Sequence, residues 1–571
     1  MRRSPLKHST RHPHVMRRPQ HGTPPRAVVI GGGLAGLASA GLLARDGYEV
    51  DLIEARETVG GRVDTCEIEG FTFDIGPTWY LMGEVMEHFF ALMGADIADY
   101  CSFEPLTPAY RLFRDTGEYI DVVSGREEVA RLFESREPGA GQRIREHLAS
   151  AERTYTLALK YFLYTNFEAL SPWCRREILR DVPTLIRLLT ESLETHADKV
   201  VADPVLRQML TFHAVFLSAA PAMLPSMYHL MAHLDLNDGV VYPVGGMRTL
   251  VDAVESVVKN AGVRIHTSTR AEEILTQPGG RGRCRATARG VRIRHADGRV
   301  EEMDADTVVS TIDLWASETR LLPSELQTYP QAYWEKSRNG IGTVLAMIGV
   351  KGELPELAHH SFFFTSDWEK NFSQIFGEHP SIPDPASIYV CRSSATDVTA
   401  APEGHETLFI LVPVPADDLI GHGSIDLDCL GDEPCRAGDD VVEQVIDAAI
   451  AQVSSWANIP DLAERVVVRR TLGPADHSAR YGSFHGNAFG PAHVLSQSAF
   501  MRARSRSSHV DSLLFAGQTT APGIGVPMAF ISAENVLKRL HGDTSALPIP
   551  EPPDAPRHSV MQQWHDNNRG R

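Results

Sequence analysis

The chain has 571 residues, enough for about two to four domains of ordinary size, and its 43% hydrophobic and 22% charged composition is that of a folded protein with a sizeable core. A formal net charge of -18 argues against a nucleic-acid binder, which needs a basic face to replace phosphate counterions. Seven scattered cysteines without a C-x-x-C pair argue against a disulfide scaffold and suit a reducing compartment.

Residues 1–26 carry Arg2, Arg3, Lys7, Arg11, Arg17, Arg18 and Arg26 and no acid, and residues 27–44 then carry no charge at all. Basic then apolar resembles a targeting segment, but Gly31, Gly32, Gly33 and Gly36 interrupt the apolar stretch. We expect residues 1–25 to be a disordered extension; the alternatives are a targeting segment or a basic foot on anionic lipid. Residues 26–80 read as strand, tight turn, helix (34–45), strand (48–54) and loop. Residues 80–240 read as mostly helical, from apolar periodicity over 84–93, 141–165 and 174–194. An amphipathic helix over 250–259 and strands over 263–266 and 307–310 return α/β character, with a hairpin-like stretch at 291–303. Strand-like runs follow at 342–350 and 407–414. A loop rich in Gly and Asp follows at 416–440, then a strand at 513–517 and a helix at 528–540. Beyond residue 543 the Pro-rich polar tail is expected to be disordered.

The expected fold class is α/β, with a discontinuous Rossmann-type domain drawn from residues 26–100, 245–315 and 500–542. The expectation adds a helical, partly membrane-facing substrate region over 101–244 and an inserted mixed α+β substrate domain over 316–499. Gly31, Gly33 and Gly36 form a G-x-G-x-x-G between the first strand and its helix. The first glycine permits the turn, the second lets the backbone approach a pyrophosphate at the helix N-terminus, and the third lets helix and sheet pack closely. Glu54 ends the second strand at the spacing, about 20 residues, of an acid that bonds ribose hydroxyls, and it disfavours NADP. Gly60, Gly61 and Arg62 add a second loop over the pyrophosphate with a bidentate phosphate partner, which points to FAD.

EARETVGGR over residues 54–62 and GFTFDIGPT over 70–78 resemble the phytoene desaturase (carotenoid desaturase) family. YPVGGMRTL at 242–250, Thr396-Asp397 with APEG at 401–404, LVPVP at 411–415, LSQSA at 495–499, LFAG at 514–517 and PGIGVP at 522–527 agree, so the resemblance runs from about residue 26 to about 540. It implies an FAD fold of the amine-oxidase and desaturase type in which Gly76, Pro77, Thr78, Gly517, Gly525, Val526, Pro527 and Met528 join the cofactor site. A helix N-terminus there would stabilise negative charge on a reduced flavin. Ala521 stands where many relatives have histidine, so position 521 supplies no acid or base.

The implied chemistry is dehydrogenation of a long apolar polyene such as phytoene. A hydride goes to the flavin and a proton leaves the neighbouring carbon, with quinone or oxygen as the final electron acceptor. The developing cation is delocalised, so positioning matters more than a strong base. Candidate catalytic residues in or near matched segments are Asp397, His485, Arg392 and His213, each equally readable as structural. The chain is expected to be cytoplasmic and peripherally attached to a membrane surface. The uncharged stretch 214–228 reads either as an interfacial segment or as buried core. Trp79 and Tyr80 line an apolar tunnel or pack in a core. His229 and His233 stand four apart without a third ligand, so no metal is expected. Rival readings are an FAD amine oxidase, another carotenoid or retinoid flavoenzyme (isomerase, ketolase or saturase), and a prenyl-chain carrier of the GDP-dissociation-inhibitor type.

Overall fold

The computed structural model describes residues 23–168, 176–425 and 436–556. The basic extension therefore lies outside the described residues up to position 22. A parallel five-stranded sheet forms first, in the order Leu513–Phe515, Thr307–Ser310, Arg26–Ile30, Glu49–Ile53 and Arg264–His266. Parallel strands need crossovers, and distant pieces of chain supply them. The helix Leu34–Arg45 packs against Met247–Asn260 and Val526–Leu540, burying Leu37, Leu42 and Val254 in one core with the strand residue Val29. A second sheet joins Thr269–Pro278, Ala286–His295 and Val300–Asp304, with Val510–Asp511 beside the middle strand.

A seven-stranded sheet carries the other half of the molecule. Its order is Val466–Leu472, Ile341–Lys351, His405–Pro415, Ile388–Cys391, His360–Phe364, Tyr110–Arg114 and Tyr119–Val122. The strand Ile341–Lys351 is apolar without alternation because both faces are covered. Leu345 and Met347 enter one core, whereas Val344, Ala346 and Ile348 enter another that is closed by the helix Asp440–Trp456. Two strands of this sheet, Tyr110–Arg114 and Tyr119–Val122, lie within the 101–244 stretch expected to be helical. They are short and joined by a tight turn, so helical periodicity around them masked them. The rest of that stretch includes the helices Arg126–Arg136, Ala140–Ala158, Arg176–Thr190, Leu193–Val200 and Pro204–Thr211, and the paired short strands Phe103–Pro105 and Val241–Pro243. Asp203 caps the last of these helices, accepting from the Val205 and Leu206 N–H groups ahead of a proline that has none to satisfy.

Two expectations need correction. Of the two readings for residues 214–228, the buried core holds and the interfacial segment does not, and the stretch is built of short 3-10 turns. Ala214, Val215, Leu217, Ala219 and Leu224 are buried in a core with Ile341 and Phe372. The tail is ordered through residue 556, because the buried Lys538 ammonium donates to the Ser545 and Leu547 carbonyls, and Glu551 pairs with His88. Residues 557–571 lie outside the described residues.

Candidate active site

The first turn and the second glycine loop are in backbone contact. Gly31 holds φ +100° while its N–H donates to the Ile53 carbonyl. The Gly60 N–H donates to the Gly32 carbonyl at 2.9 Å, and a Cβ on Gly61 would sit 2.9 Å from the Gly33 Cα. A Cβ on Gly36 would fall 1.8 Å from the Gly31 carbonyl oxygen, so that glycine serves helix packing, and it does not line the cavity. Glu54 accepts from the Gly32 N–H at 2.6 Å and the Arg56 N–H at 2.9 Å, which locks its carboxylate at the end of the second strand.

Arg62 donates from Nη2 to Ser483 Oγ at 2.8 Å and lies over the Tyr481 ring, and its buried Nε has no hydrogen-bond partner. Burial holds its pKa below the usual arginine range, with Asp313 opposing, and burial raises the Asp313 carboxyl to about 6. An unpaired guanidinium N–H at the edge of a glycine cradle fits a pyrophosphate. Gly76 packs against the Arg62 carbonyl, where a Cβ would fall at 1.8 Å. Across the cavity Gly517 donates to Ser532 Oγ, and Gly525 precedes the helix Val526–Leu540, whose positive end therefore faces the same space.

One cavity of about 1660 Å³ runs between these loops and the seven-stranded sheet. That exceeds the roughly 300–1,000 Å³ of an ordinary small-molecule pocket. It is lined by Gly31, Gly33, Glu54, Gly60, Gly61 and Arg62, and by Gly76, Pro77, Thr78, Gly517, Gly525, Val526, Pro527 and Met528. Its walls also include the apolar side chains Phe216, Leu345, Phe409, Leu411, Phe489 and Phe500. Trp79 lines it, whereas Tyr80 is buried against Phe103.

Of the four catalytic candidates, only His213 reaches the cavity, with Nε2 3.5 Å from the Asp235 carboxylate. The other three need correction. Asp397 is a capping residue that accepts from the Thr399 and Gly245 N–H groups. Arg392 is held by Glu406 at 2.9 Å. His485 points outward, with its side chain 57% exposed. Sequence reasoning missed Tyr389 and His493, which line the cavity. The Tyr389 hydroxyl meets Thr78 Oγ1 at 2.5 Å and His360 Nδ1 at 2.8 Å, and accepts from Trp79 Nε1 at 3.2 Å, so it anchors the Gly-Pro-Thr segment. The Ile524 N–H donates to His493 Nε2 at 3.5 Å, which holds the Pro-Gly-Ile-Gly loop, and burial keeps that imidazole neutral. Neither lies within a matched motif: Tyr389 sits in the short strand Ile388–Cys391, and His493 in a loop two residues before the 495–499 match.

The family model described as flavin containing amine oxidoreductase matches residues 34–540. The chain belongs to that family. FAD is accordingly its cofactor, and the cradle, unpaired guanidinium N–H and helix N-termini fit it. Among curated relatives, a carotenoid 3,4-desaturase of Haloarcula japonica is 35% identical over 90% of this chain and 98% of its own length. A zeta-carotene-forming phytoene desaturase of Myxococcus xanthus is 32% identical, covering 90% of this chain and 93% of its own. Among solved structures, an oxidoreductase from Methanosarcina mazei aligns with TM-score 0.57 at 17% identity, over 90% of this chain and all of its own (100%). Putrescine oxidase bound to putrescine aligns at 0.54 and 14%, over 91% and 99%. These two carry the fold alone. The chain is an FAD-dependent oxidoreductase of the phytoene desaturase type.

Proposed function

We propose that the chain desaturates a long carotenoid-type polyene, phytoene or a partly desaturated relative, by removing hydrogen from adjacent CH–CH carbons. The observation that carries this reading is one cavity of about 1660 Å³ lined both by the glycine cradle and by large apolar side chains. Bound FAD supplies the two-electron acceptor. A hydrocarbon offers no polar handle, so Leu345, Phe409 and Leu411 orient it by shape and burial, at about 0.8 kcal/mol per buried CH₂. The same side chains exclude water and hold the reacting C–H bond in place, which suffices where charge spreads along a polyene. His213 is the one expected catalytic residue still placed to accept a proton. The carotenoid-acting relatives support this substrate class. An amine substrate fits the apolar walls poorly, and the intact cradle weighs against a flavin-free carrier.

The substrate dissolves in membranes, and the cavity rim suits that source. Leu495, Phe500 and Met501 line the cavity and are 41%, 46% and 61% exposed. Among the described residues no helix is long and apolar enough to cross a membrane, so we place the chain peripherally, on the reducing cytoplasmic side that its free cysteines suit. Quinone or oxygen then re-oxidises the cofactor. Co-expression with a phytoene-producing pathway tests the reading. Coloured polyenes that disappear with Gly33→Asp are expected; unchanged phytoene beside a folded, yellow protein would move the assignment to another carotenoid or an amine.

A further inference from the structure

Behind the cavity wall, two buried histidines and a buried cysteine meet with donor atoms to spare. His359 directly precedes the strand His360–Phe364, and Cys391 ends the strand Ile388–Cys391. The antiparallel register makes His360 and Cys391 direct partners, so both side chains leave the same face of the sheet. Consecutive residues on a regular strand would face opposite ways. His359 lies just outside the strand, and its ring meets the His360 ring edge-on with centroids 4.5 Å apart. The result is two imidazoles and a thiol whose ligand atoms all lie within 4.8 Å of one another. Exposure is 5% for His359, 0% for His360 and 3% for Cys391.

Both rings are anchored through Nδ1, His359 by Thr396 Oγ1 at 2.7 Å and His360 by the Tyr389 hydroxyl at 2.8 Å. Both Nε2 atoms are buried without a hydrogen-bond partner. Each such atom costs roughly 1–3 kcal/mol, so two in one cluster call for a ligand. Anchoring Nδ1 is also how proteins orient a ligating imidazole and leave its other nitrogen for a metal.

We propose that His359, His360 and Cys391 bind one d10 cation, Zn²⁺ or Cu⁺, through two imidazole nitrogens and the thiolate. The donor set is soft and free of carboxylate, which selects these ions over Mg²⁺ or Ca²⁺. With Nδ1 of each ring held by a hydroxyl, the Nε2 atoms are the ones left to ligate. A thiol ligates as its thiolate, so one H⁺ is released per ion bound. Bond lengths of about 2.0–2.3 Å would draw the donors to roughly 3.3–3.7 Å of one another. The ion would tie two adjacent strands directly behind Trp79, whose ring stacks on His360 at 5.0 Å. The site is independent of the substrate assigned above.

The full chain, expressed with zinc and copper both supplied and purified without a chelating tag, is tested by counting metal and flavin per chain. About one ion per wild-type chain is expected, and less than about a tenth in Cys391→Ala at equal flavin content. Whichever ion is found, zinc or copper, names the occupant. Should Cys391→Ala fail to fold, the wild type decides alone. Its chelator-treated form, titrated anaerobically with Zn²⁺ or Cu⁺, should saturate at about one equivalent with release of about one proton. A folded, flavin-loaded wild type that carries no such ion and takes up neither on titration overturns the proposal and assigns the unpaired nitrogens to water.

Discussion

A Cβ on Gly33 would meet only the Gly61 Cα at 3.6 Å and the Gly60 carbonyl oxygen at 3.9 Å, both ordinary contacts. The protein therefore tolerates a side chain there, but the cofactor phosphates do not. Gly33→Asp is expected to keep its far-ultraviolet circular dichroism and to retain under about a tenth of the wild-type flavin, since it fills the cradle with negative charge. A yellow variant would contradict the assignment of the cradle. Gly36 is the opposite case, because its neighbour is backbone at 1.8 Å. Tyr389→Phe tests the anchor of the Thr78 segment. It removes a hydroxyl shared by Thr78, Trp79 and His360, and a urea titration should show a loss of roughly 1–3 kcal/mol.

At the scale of elements, two devices hold helices together. The last turn of Val526–Leu540 presents the Lys538 ammonium to the Tyr164, Ser545 and Leu547 carbonyls, at 2.5, 2.9 and 2.6 Å. Lys538→Met leaves those carbonyls unpaired. It should cost on the order of 3 kcal/mol in a denaturant titration and make residues 543–556 quicker to proteolyse. Where Ala140–Ala158 meets Leu193–Val200 and Ser226–Leu230, the rings of His147, His196 and His229 gather with centroids 4.7 to 5.3 Å apart. Burial lowers the pKa of all three, with neighbouring histidines lowering His147 and His229 further, while Glu191 opposes at His196. His229 falls to about 4. Its folded pKa lies below the unfolded value of about 6.5, so its neutral form supports folding above that pH and the support is lost as pH falls toward 4. His229→Gln should flatten the decline in stability from pH 6.5 to pH 4 by up to roughly 3 kcal/mol, measured by unfolding at each pH.

For the whole molecule, the arrangement of cradle, apolar cavity and exposed rim decides where the substrate enters. Each large apolar side chain buried in lipid contributes about 1.5–3 kcal/mol, so the double variant Phe500→Asp, Met501→Asp should lower partitioning onto neutral vesicles by about a hundredfold or more. Flavin content is measured alongside, because the neighbouring Arg502 donates to the Gln518 and Thr520 carbonyls beside Gly517, and the comparison holds at equal flavin content. A double variant that floats with vesicles as well as the wild type would remove this rim as the membrane contact.

The glycine loops, Glu54, Arg62 and the strands and helices around them were legible in the sequence. A positive φ, a backbone contact or a helix N-terminus over a phosphate admits few residue types, and the constraint is local. The central strands 341–351 and 405–415 were legible as apolar runs for a similar reason: burial on both faces leaves no alternation. Pairing between distant segments was not legible. Nothing within Tyr110–Arg114 announces His360–Phe364 as its neighbour, and nothing near Ala214 announces that Ile341 will bury it. The same held for the site. Asp397, Arg392 and His485 sit in motifs as suggestive as any, yet the motif does not say which way a side chain faces. Only the packing of two sheets about one cavity turned those three away from it and set Tyr389 and His493 on its wall. Sequence alone determined the cofactor, because its cradle is built from backbone constraints that a single stretch of chain records. The tertiary structure decided the shape of the substrate cavity, because its walls come from segments hundreds of residues apart whose contacts no local pattern encodes.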